Sequence, residues 1–162
     1  MPRTYHEIAD WFDAARNKTL AEKPVLDAVL KHLTDPSSVL DLGCGTGEPI
    51  ARYLIERGLH LTGVDGAPAM IDVCRRRFPD QDWIEADLSR FETAKRFDCV
   101  IAWDSLFHLT CEDQRDLLTR ISDWVVPEGY LIINYRSRSP AAASRSDPAD
   151  DRCRRRYWLL GR

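Results

Sequence analysis

The chain has no apolar run long enough to span a bilayer. Its opening, MPRTYHEIADWF, lacks a signal-peptide pattern, so the expected location is the cytoplasm and no membrane is an expected partner. No charge sign dominates. A formal net charge of −3 gives no global attraction to nucleic acid or to an anionic surface. Base-stacking aromatics interleaved with basic residues are missing before the tail, so nucleic acid is not the expected partner. Paired cysteine spacing is missing too. Cys44, Cys74, Cys99, Cys111 and Cys153 are an odd, scattered set, which argues against a disulfide framework and against a CxxC zinc site. Cys44, inside a glycine turn, and Cys99, mid-strand, read as small buried hydrophobes. No carboxylate–histidine cluster has metal-ligand spacing, so no metal is expected.

What is present is an ordinary globular balance, 44% hydrophobic and 30% charged, in 162 residues, enough for one core. Ile8, Trp11, Phe12 and Ala15 recur at helical spacing over Tyr5 to Ala15. Pro24 starts a second helical pattern, which Asp35-Pro36-Ser37 breaks. Strands and helices then alternate. Strand Ser38–Leu42 leads to helix Glu48–Arg57, stopped by Gly58; strand His60–Val64 leads to helix Ala67–Arg77. Strands Trp83–Ala86 and Cys99–Trp103 follow. Helix Cys111–Trp124 has Thr110 as N-cap and Asp113 in the capping-box position, and Pro127-Glu128-Gly129 turns the chain into strand Tyr130–Tyr135. Such alternation predicts an α/β fold with a mostly parallel sheet flanked by helices. Right-handed crossovers place the turns after the strands along one edge, where open α/β sheets bind ligands. Asp41, Asp65, Asp87 and Asp104 all fall at such strand ends.

The run Val39-Leu40-Asp41-Leu42-Gly43-Cys44-Gly45-Thr46-Gly47 carries the most information. Glycines there let the backbone turn sharply and approach a ligand closely. A carboxylate two residues before the first glycine would repel a pyrophosphate. It would welcome a cationic ligand without phosphate, such as S-adenosylmethionine (SAM), which bears a sulfonium and an ammonium. The spacing is GxGxG, not the GxGxxG of dinucleotide sites.

This run resembles the first signature of class I SAM-dependent methyltransferases (methyltransferase domain types 11 and 25). The resemblance continues in order through Gly63-Val64-Asp65, Ala86-Asp87-Leu88 and the segment from Phe97 to Asp104, covering Tyr5 to Tyr135. It implies a Rossmann-like sheet of order 3-2-1-4-5 and methyl transfer from SAM, leaving S-adenosylhomocysteine (SAH), to a small-molecule acceptor. A SAM-binding protein without activity is the alternative. No NPPY-like segment or Pro-Cys pair follows the fourth strand, which speaks against DNA as acceptor. By resemblance, Asp41 orients the glycine loop or the methionine ammonium, and Gly43, Cys44, Gly45 and Gly47 line the cofactor. Asp65 and Gly66 meet the ribose, Asp65 also being placed to cap the next helix. Met70, Asp87 and Leu88 border the adenine. Trp103-Asp104-Ser105-Leu106-Phe107-His108-Leu109 resembles an active-site segment of small-molecule methyltransferases. There Trp103 borders the cofactor, Asp104 holds the ammonium or orients an acceptor, and His108 is the candidate general base. Tyr5, Trp11 and Arg16 read as a packed N-terminal helix or a lid over the cofactor. The domain is expected over 1–136, with 1–35 as its helical cover.

The family normally adds a helix and an antiparallel strand pair after the fifth strand, and this chain is expected to lack that pair. From Arg136 onward come eight arginines, no lysine and little apolar periodicity. The tail 137–162 is expected to be poorly ordered, with Tyr157-Trp158-Leu159-Leu160 as its anchor. It reads as a segment foreign to the fold or as a basic tail for an acidic partner. Strand Tyr130–Tyr135 would then be an open edge through which a homodimer forms.

Overall fold

The computed structural model describes residues 19–135 and the strand at 156–161. The expected helix Tyr5–Ala15, with Tyr5, Trp11 and Arg16, and residues 136–155 with Cys153, lie outside the described residues. Helix α1 (Lys23–Leu30) carries Pro24 in its first turn, where a missing N–H costs nothing, and buries Leu26 and Val29. β1 (Ser38–Leu42) is fastened at its start: the N–H and Oγ of Ser38 both donate to Asp98 Oδ2, at 2.8 and 3.0 Å. Then come α2 (Ile50–Ile55), β2 (His60–Asp65), α3 (Pro68–Arg77) and β3 (Asp82–Glu85). They are followed by β4 (Phe97–Ala102), a 3-10 turn (Leu106–His108), α4 (Cys111–Trp124), β5 (Val125–Tyr135) and β6 (Arg156–Gly161).

β1 to β5 form the expected parallel order, and the full sheet runs β3-β2-β1-β4-β5-β6. The tail corrects two expectations. Residues 156–161 are a strand, antiparallel to β5, with Tyr135 opposite Arg156 and Tyr130 opposite Gly161. A single antiparallel strand, over the anchor expected at Tyr157-Trp158-Leu159-Leu160, therefore stands beside β5, and β5 is paired on both sides rather than left as an edge. The apolar run at 157–160 can satisfy its backbone on β5, which composition alone does not reveal. The outer strands are β3 and β6.

Two shorter differences have local causes. α2 starts at Ile50 rather than Glu48, with Pro49, which has no N–H, as its N-cap. β5 starts at Val125 rather than Tyr130, opposite Phe97. The register then shifts before Cys99 meets Tyr130, with Glu128 at φ +64 in the bulge.

Core residues divide by strand alternation. Val39, Leu61, Cys99, Ile101 and Ile132 pack with α1, α2 and α3. Leu40, Val64, Val100, Ala102 and Ile133 face the other way, onto Leu117, Ile121 and Trp124 of α4. α4 starts as predicted, with Thr110 Oγ1 accepting from the Asp113 N–H at 3.1 Å. Its Arg120 reaches the β3–β4 connection and donates to the carbonyls of Phe91 (2.5 Å), Ser89 (2.9 Å) and Leu88 (3.4 Å). Phe91 and Trp124 meet edge to face at 5.3 Å. Leu117 is fully buried between α4 and the sheet. Leu117→Ala is expected to cost about 2–5 kcal/mol, the range for a buried leucine whose cavity closes only in part. Urea unfolding monitored by tryptophan fluorescence measures it.

Candidate functional site

The sheet brings the glycine loop and four carboxylates to one edge. Asp41 lies one residue inside the end of β1, Asp65 ends β2, and Asp87 and Asp104 follow the ends of β3 and β4. Since the strands are parallel, these ends share the sheet's C-terminal edge.

The loop is held by its neighbours before any ligand arrives. Gly43, at φ +79, and Cys44 both donate their N–H groups to the Val64 carbonyl, at 2.7 and 3.1 Å. Asp65 is 5% exposed and both its oxygens accept main-chain bonds: Oδ2 from Gly45 N–H and Oδ1 from Ala67 N–H, each at 2.9 Å. The first bond ties the loop to β2; the second supports the entry to α3. Below the loop, Cys74 Sγ lies 3.2 Å from the Gly45 carbonyl, and Arg77 Nη1 donates to the Thr46 carbonyl at 3.0 Å. The buried Glu48 carboxylate accepts from Arg52 Nε at 2.6 Å and lies 3.6 Å from Arg77.

The opposite wall follows β4. Trp103 is buried among the core residues of the α1–α3 face. Asp104 is left-handed, at φ +50, a conformation that costs a non-glycine residue about 1–3 kcal/mol. Asn134, near the end of β5, holds it from both sides. The Asp104 N–H donates to Asn134 Oδ1 at 2.7 Å, and Asn134 Nδ2 donates to Asp104 Oδ1 at 2.6 Å. Ser105 is 3% exposed, and its Oγ has no hydrogen-bond partner among the described residues. This turn presses on the glycine loop: a Cβ placed on Gly43 would stand 2.3 Å from Ser105 Cβ. Sequence reading placed Ser105 in the active-site segment without a role of its own, and it missed Asn134. An asparagine late in a strand carries no signal of a partner 30 residues upstream.

The remaining predicted residues sit around this centre. His108 is exposed on the 3-10 turn, its ring 4.2 Å from that of Phe107, also exposed. Asp87 is exposed and accepts from the Ser89 N–H at 2.9 Å, and that bond holds its carboxyl below the usual carboxylate range. Leu88 is buried in the α4 core rather than at the surface, anchoring the chain beside Asp87. Met70 is buried against Ala67, with Gly66 half-buried next to them. Asp41 is 3% exposed. The local field is negative. Burial first, then the charges of Asp41 and Asp98, push the Cys99 thiol far above its usual range. Burial first, then Cys74 and the carboxylates of Asp41 and Asp65, raises that of Cys44. Among the described residues no group of three or more His, Cys, Asp or Glu side chains is gathered as a metal would need. No helix among them is long and apolar enough to cross a membrane.

Residues 39–129 match the model of a methyltransferase domain family. The chain belongs to that family, as a class I SAM-dependent methyltransferase domain. It is 34% identical to the trans-aconitate 2-methyltransferase of Escherichia coli (strain K12 / DH10B), over 78% of this chain and 51% of that protein. Among solved structures it resembles a TehB-like SAM-dependent methyltransferase from Corynebacterium glutamicum, with 27% identity and TM-score 0.67, covering 83% of this chain and 72% of that one. A SAM-bound amino pentose methyltransferase from Micromonospora echinaspora is 25% identical with TM-score 0.64, covering 78% and 54%. The chain spans about half the length of the curated relatives it matches.

The residues fit the family's cofactor. The acids complement a sulfonium and an ammonium, and Ser105 holds an unspent buried hydroxyl beside the loop. The contact between turn and loop is testable. Gly43→Ala is expected to cost about 1–3 kcal/mol for overpacking and roughly 1–2 kcal/mol more for a left-handed Cβ. In a Ser105→Gly background the first part should vanish and the second remain, so urea unfolding of both singles and the double should show non-additivity.

Proposed function

We propose that this chain transfers a methyl group from SAM to a small-molecule acceptor. The observation that carries the reading is the tethered glycine loop ringed by Asp41, Asp65, Asp87 and Asp104 at one sheet edge. Family membership and the SAM-bound neighbour support it. When bound, SAM supplies an activated methyl on a sulfonium; the protein's part is proximity, orientation and exclusion of water.

Gly43, Cys44, Gly45 and Gly47 cradle the cofactor, with Asp41 buried behind them. Asp65 binds the ribose hydroxyls beside Gly66. A carboxylate oxygen can accept more than one hydrogen bond, so capping and ribose binding are compatible. Asp87 accepts from the adenine amino group, and it stays ionised through mildly acidic pH because Ser89 favours its charged form. Met70 and Leu88 shape the adenine side, and Trp103 closes the floor. Asp104 takes the methionine ammonium as a charge-assisted hydrogen bond. His108, reachable from solvent, is the general base for an acceptor proton. Residues 1–136 are read as the working domain, 1–35 as its cover and the cytoplasm as its compartment.

Calorimetry with SAH tests the cofactor site, with NAD as control. Micromolar SAH binding without NAD binding is expected, weakened at least tenfold in Asp65→Asn, whose amide can accept through one oxygen only. A folded wild-type protein that does not bind SAH overturns the reading. For the base, His108→Ala should lower turnover of an acceptor by about 10²–10⁴-fold; unchanged turnover removes His108 from the chemistry.

A further inference from the structure

The pair formed by Asp104 and Asn134 is unlike the other carboxylate contacts of the site. Asp65 and Asp87 accept from main-chain N–H groups near them in the fold. Asp104 is fixed by a side chain from another strand, through two bonds in opposite directions. The amide orientation is not a free choice. A main-chain N–H can only donate and a carboxylate can only accept, so the Asn134 oxygen must face the former and its nitrogen the latter. Aspartate at 134 would satisfy the N–H but face a like charge; leucine would satisfy neither. Asn134 is only 9% exposed, so its amide is screened from water that would compete for either bond. The Asp104 carboxylate oxygen that Asn134 leaves free accepts no hydrogen bond among the described residues.

We infer that Asn134 is the positioning residue for Asp104. It holds the left-handed turn after β4 and occupies one carboxylate oxygen, so that the other is presented to the methionine ammonium of the cofactor. The inference rests on the reading of Asp104 as a cofactor contact. Ser105 benefits from the same clamp, since it follows Asp104 directly and packs against Gly43. A loosened turn therefore disturbs both walls of the site.

SAH affinity, measured by calorimetry on protein shown to be folded by circular dichroism, tests this in three variants. Asn134→Leu should weaken SAH at least tenfold. The same substitution in an Asp104→Ala background should add less than twofold, because there is no carboxylate left to position. Asn134→Asp should bind SAH better at pH 5.5 than at pH 8. Two carboxylates in contact cannot both ionise, and a shared proton restores the donor that the amide supplied. Asp41, Asp65 and His108 stand at the same sheet edge in both proteins, so the readout is the slope of the variant minus that of wild type. Should Asn134→Leu fail to fold, Asn134→Asp at acidic pH carries the test. Wild-type affinity in Asn134→Leu overturns the inference. So does an undiminished loss in the Asp104→Ala background, or an Asn134→Asp slope equal to that of wild type. If wild type binds SAH and Asp65→Asn weakens it while the Asn134 variants do not, the positioning role fails and the cofactor reading stands. If wild type does not bind, the cofactor reading fails.

Discussion

The carboxylate of Asp65 joins three elements: β2, which it ends, the glycine loop and the start of α3. It is buried, and a buried charge is tolerable only when hydrogen bonds replace the water it lost. Gly45 and Ala67 supply those bonds, one to each oxygen. The loop's shape therefore exists before the ligand does, and ordering entropy is spent in folding rather than in binding. The same dependence limits substitution. Removing the carboxylate orphans two main-chain N–H groups together.

Around that anchor the polar groups are used economically. Glu48, Arg52 and Arg77 form a second tier under the loop, with Arg77 also holding the Thr46 carbonyl. Arg120 does similar work from the opposite face, gathering three carbonyls of the connection that carries Asp87. Both fix main chain whose carbonyls would otherwise need water, and so hold the acids in register with one another. The upward push on the Cys44 and Cys99 thiols registers the negative field these acids make, added to burial.

Much of this was legible in the chain because it is local. β1 and α4 match their predicted limits because hydrophobic period and capping chemistry lie within a few residues of each boundary. The glycine loop and the strand-end acids were legible for the same reason: β1 ends where Leu42 meets Gly43. What escaped was non-local. Asn134 gains meaning only when β5 is laid beside β4. Ser105 matters because a turn from one crossover lands on the glycine of another. β6 depends on the free backbone edge of β5, which a composition count of the arginine-rich tail cannot see. The bulge before Tyr130 likewise answers to pairing with β4.

These non-local contacts bear on how such a site works. A methyl donor that arrives activated asks for little acid–base chemistry, and much of the rate comes from holding donor and acceptor in line. Displacements well under an ångström then matter, and the walls of the site must be stiff. Here one wall is a loop pinned by Asp65 and the other a strained turn pinned by Asn134, and the two meet where Ser105 closes on Gly43. Stiffness supplied by contacts between crossovers transmits any slack from one wall to the other. The left-handed Asp104 is the weak point of that arrangement, because its backbone would relax if released. Its clamp is a neutral amide rather than a second ion and brings no opposing charge to the carboxylate. A lysine or arginine in place of Asn134 would pair with the Asp104 carboxylate but offer no acceptor to its N–H, and would cancel the charge that a neutral amide leaves in place.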